Sequence, residues 1–402
     1  MLKIKTLIFS SVLLLFFGPV TLAQKGKYPQ RKDVLKLIDK DYKVGIEQYK
    51  LMMKRLGPQD FPKTYFPASD KAENSGSGWW CSGFYPGTLI YLFEQSKEQT
   101  LLNESERIMK VLAKEQYNKT THDLGFMMYC SFGNLEKLEP GAATETILIN
   151  SAKSLMSRFD PKVGCIKSWD SKPNDYLVII DNMMNLELLF WATKQTGDSS
   201  YYKVAVTHAN TTMKNHFRSN YSSYHVLNYN AATGAVQQKK TAQGFADESA
   251  WARGQAWGLY GYTVMYRETR DKKYLEQAQN IARFILDNPY LPADKIPYWD
   301  FDAPNKPNAL RDASAAAVMA SALLELYHYS DKQLAKKYYT TAETIIKNLS
   351  SPQYLAAVGT NGGFILKHSV GSIPGKTEID VPLTYADYYF IEALKRYKTA
   401  KF

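Results

Sequence analysis

The stretch DESAWARGQAWGLYGY, residues 247–262, decides how the rest of the chain is read. Asp247 and Glu248 precede Ser249, a residue type that caps helices, and Trp251, Arg253, Gln255 and Trp257 follow within the first turns. At helical spacing Ala250, Arg253, Gly254, Trp257, Gly258 and Gly261 fall on one face. That face mixes small residues with a guanidinium and an indole, where a plain core helix would carry Leu and Ile. Two readings are open. The segment is a tryptophan-rich core helix whose Arg253 pairs with Asp247, or its first turns form the floor of a sugar site. In the second reading Trp257 is a platform and Arg253 a fork for a carboxylate.

Working outward, residues 31–53 read as an amphipathic helix, followed by a proline-rich loop over 57–77 that ends at Trp79 and Trp80. Helical segments then alternate with loops at 84–96, 101–116, 123–135, 142–157, 181–195, 199–217, 250–268, 272–287, 312–329, 332–349 and 381–397. Asp198, Asp271 and Asp331 each open a helix, a weak internal echo of a helical hairpin. The alternate segments HDLGFMMYC, IDNMMNLELLFWA, ADESAWARGQAW, LRDASAAAVMASALLEL and EIDVPLTYADYYFIEAL begin polar and turn apolar on nearly every side. Helices of that kind belong inside a ring. The expectation is an all-α (α/α)6 barrel, a toroid of six helical hairpins. A solenoid is the alternative, but its repeats would be more regular. In the ring, Asp123, Asp181, Asp247, Asp312 and Asp380 would gather at one mouth. N-capping explains any one of them; five on the innermost helices favour a cleft.

Residues 1–23 have another origin. Lys3 and Lys5, an apolar run over 7–17 and the small-residue end at Ala23 make a secretory signal peptide, leaving 24–402 as a single catalytic domain. A periplasmic or secreted protein, free of the membrane after cleavage, is expected. Cleavage lowers the net charge from +11 to +9, spread without a dense basic block. That argues against nucleic acid and suits a soluble anionic substrate. Three cysteines without a CxxC and six histidines without HExxH or HxH leave no metal site and no disulfide framework to expect. The aromatic content of 13%, with 29 Tyr and 7 Trp, fits a carbohydrate cleft or a bulky helix-packing core.

Paired carboxylates in an aromatic cleft suggest acid–base chemistry on a sugar. Asp123 and Asp181 are the favoured pair, since each begins an inner helix and precedes apolar residues that can desolvate it. Gln243 and Arg253 could hold an acidic sugar, with Trp80, Trp169 and Trp257 stacking on it.

These segments resemble glycoside hydrolase family 88, the unsaturated glucuronyl hydrolases. The similarity lies in WARGQAWGLYGY (251–262) and, besides it, in HDLGFMMY (122–129), DNMMNLELLFWA (181–192), QGFADES (243–249), RDASAAAVMASALLEL (311–326) and HSVGSIPGKTEIDVPLTYADYYFIEAL (368–394), which cover nearly the whole mature chain in the family's order. The resemblance implies a cofactor-free (α/α)6 enzyme that removes a 4,5-unsaturated uronic acid from the non-reducing end of lyase products by hydrating C4=C5. It implies Asp181 as general acid and base and Asp123 as the second essential carboxylate. His225 falls near the glycosidic side, and Gln243, Arg253 and Trp257 are ring and carboxylate contacts. Ser372 and Lys376 lie in the region that meets sulfate or the next sugar, although Gly371, Pro374 and Gly375 also read as a plain turn, and His122 is a supporting residue. Three alternatives stand beside this reading. An unsaturated rhamnogalacturonyl hydrolase would depart from the intact WARGQAW. A sugar epimerase would need a histidine pair, for which only His225 and His368 are plausible. A non-catalytic uronate-binding protein would tolerate loss of Asp181.

Overall fold

The computed structural model describes residues 30–172 and 174–400; the expected signal peptide lies outside them. Its outer helices are α1 (Lys32–Arg55), α3 (Gln99–Leu112), α5 (Ala142–Met156), α7 (Ser199–Asn215), α9 (Lys272–Leu286) and α11 (Lys332–Leu349). Between them run the inner helices α2 (Phe84–Ser96), α4 (Phe132–Leu138), α6 (Leu186–Thr196), α8 (Ala252–Thr269), α10 (Ala313–Leu326) and α12 (Thr384–Thr399).

Burial pattern separates the two sets. Helix α9 buries Tyr274, Gln277, Ala278, Ile281, Ala282 and Ile285, one stripe at helical spacing. In α8 every residue from Ala252 to Met265 is buried. The inner helices pack in sequence, α8 on α10, α10 on α12 and α12 back on α2, closing an (α/α)6 ring. Small residues make that closeness affordable in space: α10 presents Ala315, Ala316 and Ala317 to its neighbours. The outer helices start where the sequence indicated, with Asp198, Asp271 and Asp331 each accepting a backbone N–H as N-cap.

Several expectations are corrected. Ser249 does not cap α8; its hydroxyl donates to Asp300, and Trp251 occupies the N-cap position. The segments bearing Asp123 and Asp181 are not regular helix at their start. A π-helical turn spans Gly125–Tyr129 and a 3-10 turn spans Ile180–Asn185. The loop over 57–77 contains a hairpin of β1 (Phe61–Phe66) and β2 (Lys71–Ser75). Two short strands, β3 (Phe159–Asp160) and β4 (Cys165–Ile166), also pair. An antiparallel sheet joins β5 (Asp175–Ile179), β6 (Val226–Asn230) and β7 (Val236–Lys240), and β8 (Ser369–Ser372) pairs with β9 (Thr377–Val381). Strands this short carry weak alternation, and their pairing is long-range, so helical periodicity overshadows them.

Gly125 shows how tightly the two carboxylate-bearing turns meet. A Cβ there would lie 2.4 Å from Asn185 Cα, and the neighbouring Phe126 N–H donates to Asn185 Oδ1 at 3.0 Å. Gly125→Ala should therefore destabilise the protein by about 1–3 kcal/mol through overpacking. Gly76→Ala, where a Cβ meets nothing within 4 Å, is the control. Equal denaturation midpoints for the two variants would show that the turns have slack between them.

Candidate active site

Because the inner helices begin at one end of the ring, their first residues converge there. A small cavity of about 70 Å³ is lined by Trp80, His122, Asp123, Trp169, Ile179, Asp181, Gln243 and Arg253. Below it an aromatic layer closes the ring: Phe126 packs on Trp257, Trp257 on Tyr389, and Trp80 on Tyr385. A larger cavity of about 190 Å³ lies toward the other ends of the inner helices. Tyrosines and the Arg267, Arg396, Glu187 and Glu392 charges line it.

Asp181 is buried, and its Oδ2 has no hydrogen-bond partner. Burial pushes its carboxyl up to about 7; the Arg253 charge opposes this, and the Asp123 charge adds to it. The Trp257 indole N–H also favours the ionised form, though it makes no well-aligned hydrogen bond. Asp123 accepts from Thr121 Oγ1 at 2.7 Å through Oδ2.

Each aspartate faces a buried histidine. His225 Nδ1 accepts the N–H groups of Ala242 and Gln243, both at 3.2 Å, which leaves the ring proton on Nε2. That nitrogen lies 3.7 Å from Asp181 Oδ2. Burial lowers the His225 pKa to about 3, with Arg253 adding to the effect, so the ring is neutral. The second pair is alike. Ser168 Oγ accepts from Ile179 N and sits 3.3 Å from His122 Nδ1, so its proton points to that nitrogen. His122 Nε2 then carries the ring proton, 3.2 Å from Asp123 Oδ1, and burial lowers the His122 pKa.

Arg253 is 1% exposed yet lines the cavity. Its partner is Asp312, at 3.0 Å, and not Asp247, which is exposed and accepts from Thr241 N. Nη1 also donates to Val370 O and Nη2 to Gly371 O, while Nε–H has no partner. Three of the five guanidinium N–H groups are thus committed to the protein, and Nε–H is buried without a partner. Trp251 stacks between Arg253 and His225, with its ring 4.5 Å from the guanidinium and 4.4 Å from the imidazole.

The other expected residues fall in distinct places. Trp80, Trp169 and Gln243 line the cavity, Gln243 donating to Gly371 O at 3.0 Å. Trp257 is fully buried beneath it, a support for the floor in this structure and not an exposed platform. Ser372 and Lys376 lie on the β8–β9 hairpin; Ser372 Oγ accepts from Gly375 N, and Lys376 has left-handed backbone with φ +53°. Asp380 pairs with His368 at 2.7 Å on the exposed rim, so only Asp123, Asp181 and Asp312 of the five aspartates gather around Arg253. Sequence reasoning missed Trp251, Asp312 as the arginine's partner, and Asp300. Buried Asp300 accepts from Phe245 N, Ser249 Oγ and Asp302 N, holding the loop whose amides orient His225. Trp251 stood in the deciding motif, but stacking across a helix start has no sequence signature. Among the described residues, no group of three His, Cys, Asp or Glu side chains is placed to hold a metal ion.

No protein-family model matches the chain. A curated relative, the unsaturated glucuronyl hydrolase of Formosa agariphila, is 43% identical over 376 residues, spanning 92% of this chain and 93% of that protein. An unsaturated chondroitin disaccharide hydrolase of Streptococcus agalactiae is 31% identical over 79% of this chain and 81% of its own length. Among solved structures, an unsaturated glucuronyl hydrolase specific for heparin superposes with a TM-score of 0.87 at 49% identity, covering 90% of this chain and 97% of that one. Agreement of sequence and architecture over nearly the whole length places the chain in the unsaturated glucuronyl hydrolase family of glycoside hydrolases.

Proposed function

We propose that Asp181 is the general acid and base of this hydrolase and Asp123 its second essential carboxylate. The observation that carries the assignment is a carboxyl that burial pushes up to about 7, in a cavity that Asp123 and Arg253 also line. The protein removes a 4,5-unsaturated uronic acid from the non-reducing end of lyase-generated oligosaccharides of the glycosaminoglycan type, the substrate class of its relatives named for heparin and chondroitin. The N-terminal segment 1–23 supports action in the periplasm or outside the cell.

The chemistry follows from the enol ether. Asp181 gives its proton to C4, and the positive charge that develops at C5 is shared with the ring oxygen. The Asp181 carboxylate then takes a proton from the water that attacks C5. The resulting hemiketal opens to a ketone, the ring oxygen becomes a hydroxyl on C1, and C1 expels the aglycone as it becomes an aldehyde. One water is consumed. Protonating carbon is harder than protonating oxygen, so the acid must keep its proton near neutral pH, which burial achieves here. His225 and His122, both neutral, turn Nε2 toward the two carboxylates at 3.7 and 3.2 Å without a formed hydrogen bond, so neither places a full charge beside them. Arg253 supplies the positive field that draws in the uronate. Trp80 and Trp169 border the space where its ring would lie.

Asp181→Asn and Asp123→Asn should each lower kcat by at least about 100-fold, the usual size of a lost acid–base group. Loss of the ultraviolet absorbance of the conjugated double bond in unsaturated disaccharides reads this directly, and full activity in either variant removes that residue's role. In heavy water the product should carry one deuterium at C4; an unlabelled C4 would exclude hydration. Since the acid form of Asp181 is the active one, kcat/KM should fall as pH rises through about 7. A profile flat from pH 6 to 9 (roughly two units beyond the group's midpoint) would remove Asp181 as the proton donor.

A further inference from the structure

Behind the active site the ring holds a second, larger cavity that the reaction does not use. Its volume is about 190 Å³, against about 70 Å³ for the cavity that holds Asp181. Gly125 and Met184 line it, so it reaches the back of the two turns beside Asp123 and Asp181. Tyr389, also in its wall, packs on Trp257 under the active-site floor. Lys137 near the end of α4 and Thr399 at the end of α12 stand exposed at its mouth. The cavity therefore opens at the end of the ring away from the carboxylates.

Most of the charge in its wall is spent internally. Glu325 of α10 accepts from Arg267 of α8 and Arg396 of α12, joining three inner helices. Arg267 also donates to Glu187 at 2.6 Å, Lys395 pairs with Glu94 at 2.5 Å, and Glu392 accepts from Tyr91, Tyr260 and Ser321. What remains is a set of donors. Lys137 has no ion pair among the described residues and lies 4.6 Å from the Tyr129 ring centre. The hydroxyls of Tyr129 and Tyr389 have no hydrogen-bond partner among them either. Phenols with free hydroxyls offer an apolar face and a polar edge, the two kinds of surface that a sugar ring also has. One ammonium calls for one negative charge. The inner helices end at this mouth, and their partial negative charge there opposes a dianion such as phosphate. The volume lies below the roughly 300–1,000 Å³ of pockets for drug-sized ligands, which limits the guest to about one ring.

We propose that this rear cavity is a second binding site, for a free sugar acid of one ring, with Lys137 meeting its carboxylate and the Tyr129 and Tyr389 hydroxyls meeting its ring substituents. The site goes beyond the hydrolase reading and does not depend on it. Its test is calorimetric titration of the full chain with glucuronate, glucose, acetate and inorganic phosphate. Glucuronate should bind the parent protein more tightly than the other three. Lys137→Ala should weaken glucuronate about fivefold, the effect of one partly exposed charge pair, and bring it level with glucose. Lys137→Arg should keep the preference for glucuronate. Tyr129→Phe should weaken glucuronate and glucose alike, by about fivefold, the effect of one lost hydrogen bond. Lys137→Ala and Tyr129→Phe should both retain the parent kcat/KM for unsaturated disaccharides, since neither residue lines the active-site cavity. No binding of glucuronate by the parent protein, or binding unchanged in both variants, overturns the site. Binding lost in Gln243→Ala and kept in Lys137→Ala places the sugar acid in the active site and overturns it as well. Acetate or phosphate bound as tightly as glucuronate overturns the sugar acid as guest. All of these outcomes leave the hydrolase assignment standing, because turnover of the unsaturated disaccharide is read separately.

Discussion

The arrangement of the site depends on where one buried guanidinium spends its hydrogen bonds. Arg253 rises from the first turn of α8, meets Asp312 at the start of α10 and ties down the carbonyls of Val370 and Gly371 in β8. Two inner helices and a hairpin are thereby joined at the mouth of the ring. A buried ion pair of this kind is costly to break from one side, because the surviving charge is left without water or partner. Asp312 also caps α10 through Ser314 N, so the same carboxylate sets a helix start and holds the arginine.

This knot has an electrostatic consequence for the acid. Asp181 lies in the field of Arg253, which favours its ionised form, yet burial outweighs that field and keeps the carboxyl protonated up to about pH 7. The balance is possible because Asp312 and two carbonyl dipoles absorb much of the guanidinium's charge. An arginine aimed wholly at Asp181 would hold it ionised, and the donor for C4 would be lost. The neutral histidines continue the same logic. Backbone amides on His225 Nδ1 and Ser168 on His122 Nδ1 fix which nitrogen carries the proton, so each aspartate meets a dipole and not a second cation.

Loops between the helices do the fine positioning. Asp300 fastens the segment that supplies the Ala242 and Gln243 amides, and Trp251 fills the space between Arg253 and His225. The inner helices place the carboxylates; the strands and loops decide their protonation and the shape of the entrance.

The all-α ring was legible from the chain alone, because helices apolar on every side recur in alternation with amphipathic ones and hydrophobic periodicity is a local property. The capping aspartates at 198, 271 and 331 were legible for the same reason. The convergence of Asp123, Asp181 and Arg253 could be expected once the inner helices were ordered in a ring. Which aspartate would neutralise Arg253 could not, since Asp247 is near in sequence and Asp312 is near only in space. Nor could the burial of Trp257 beneath the floor or the short strands be read in advance. Each depends on pairing between distant segments, and burial, which sets both the histidine tautomers and the acidity of Asp181, exists only after the ring has closed.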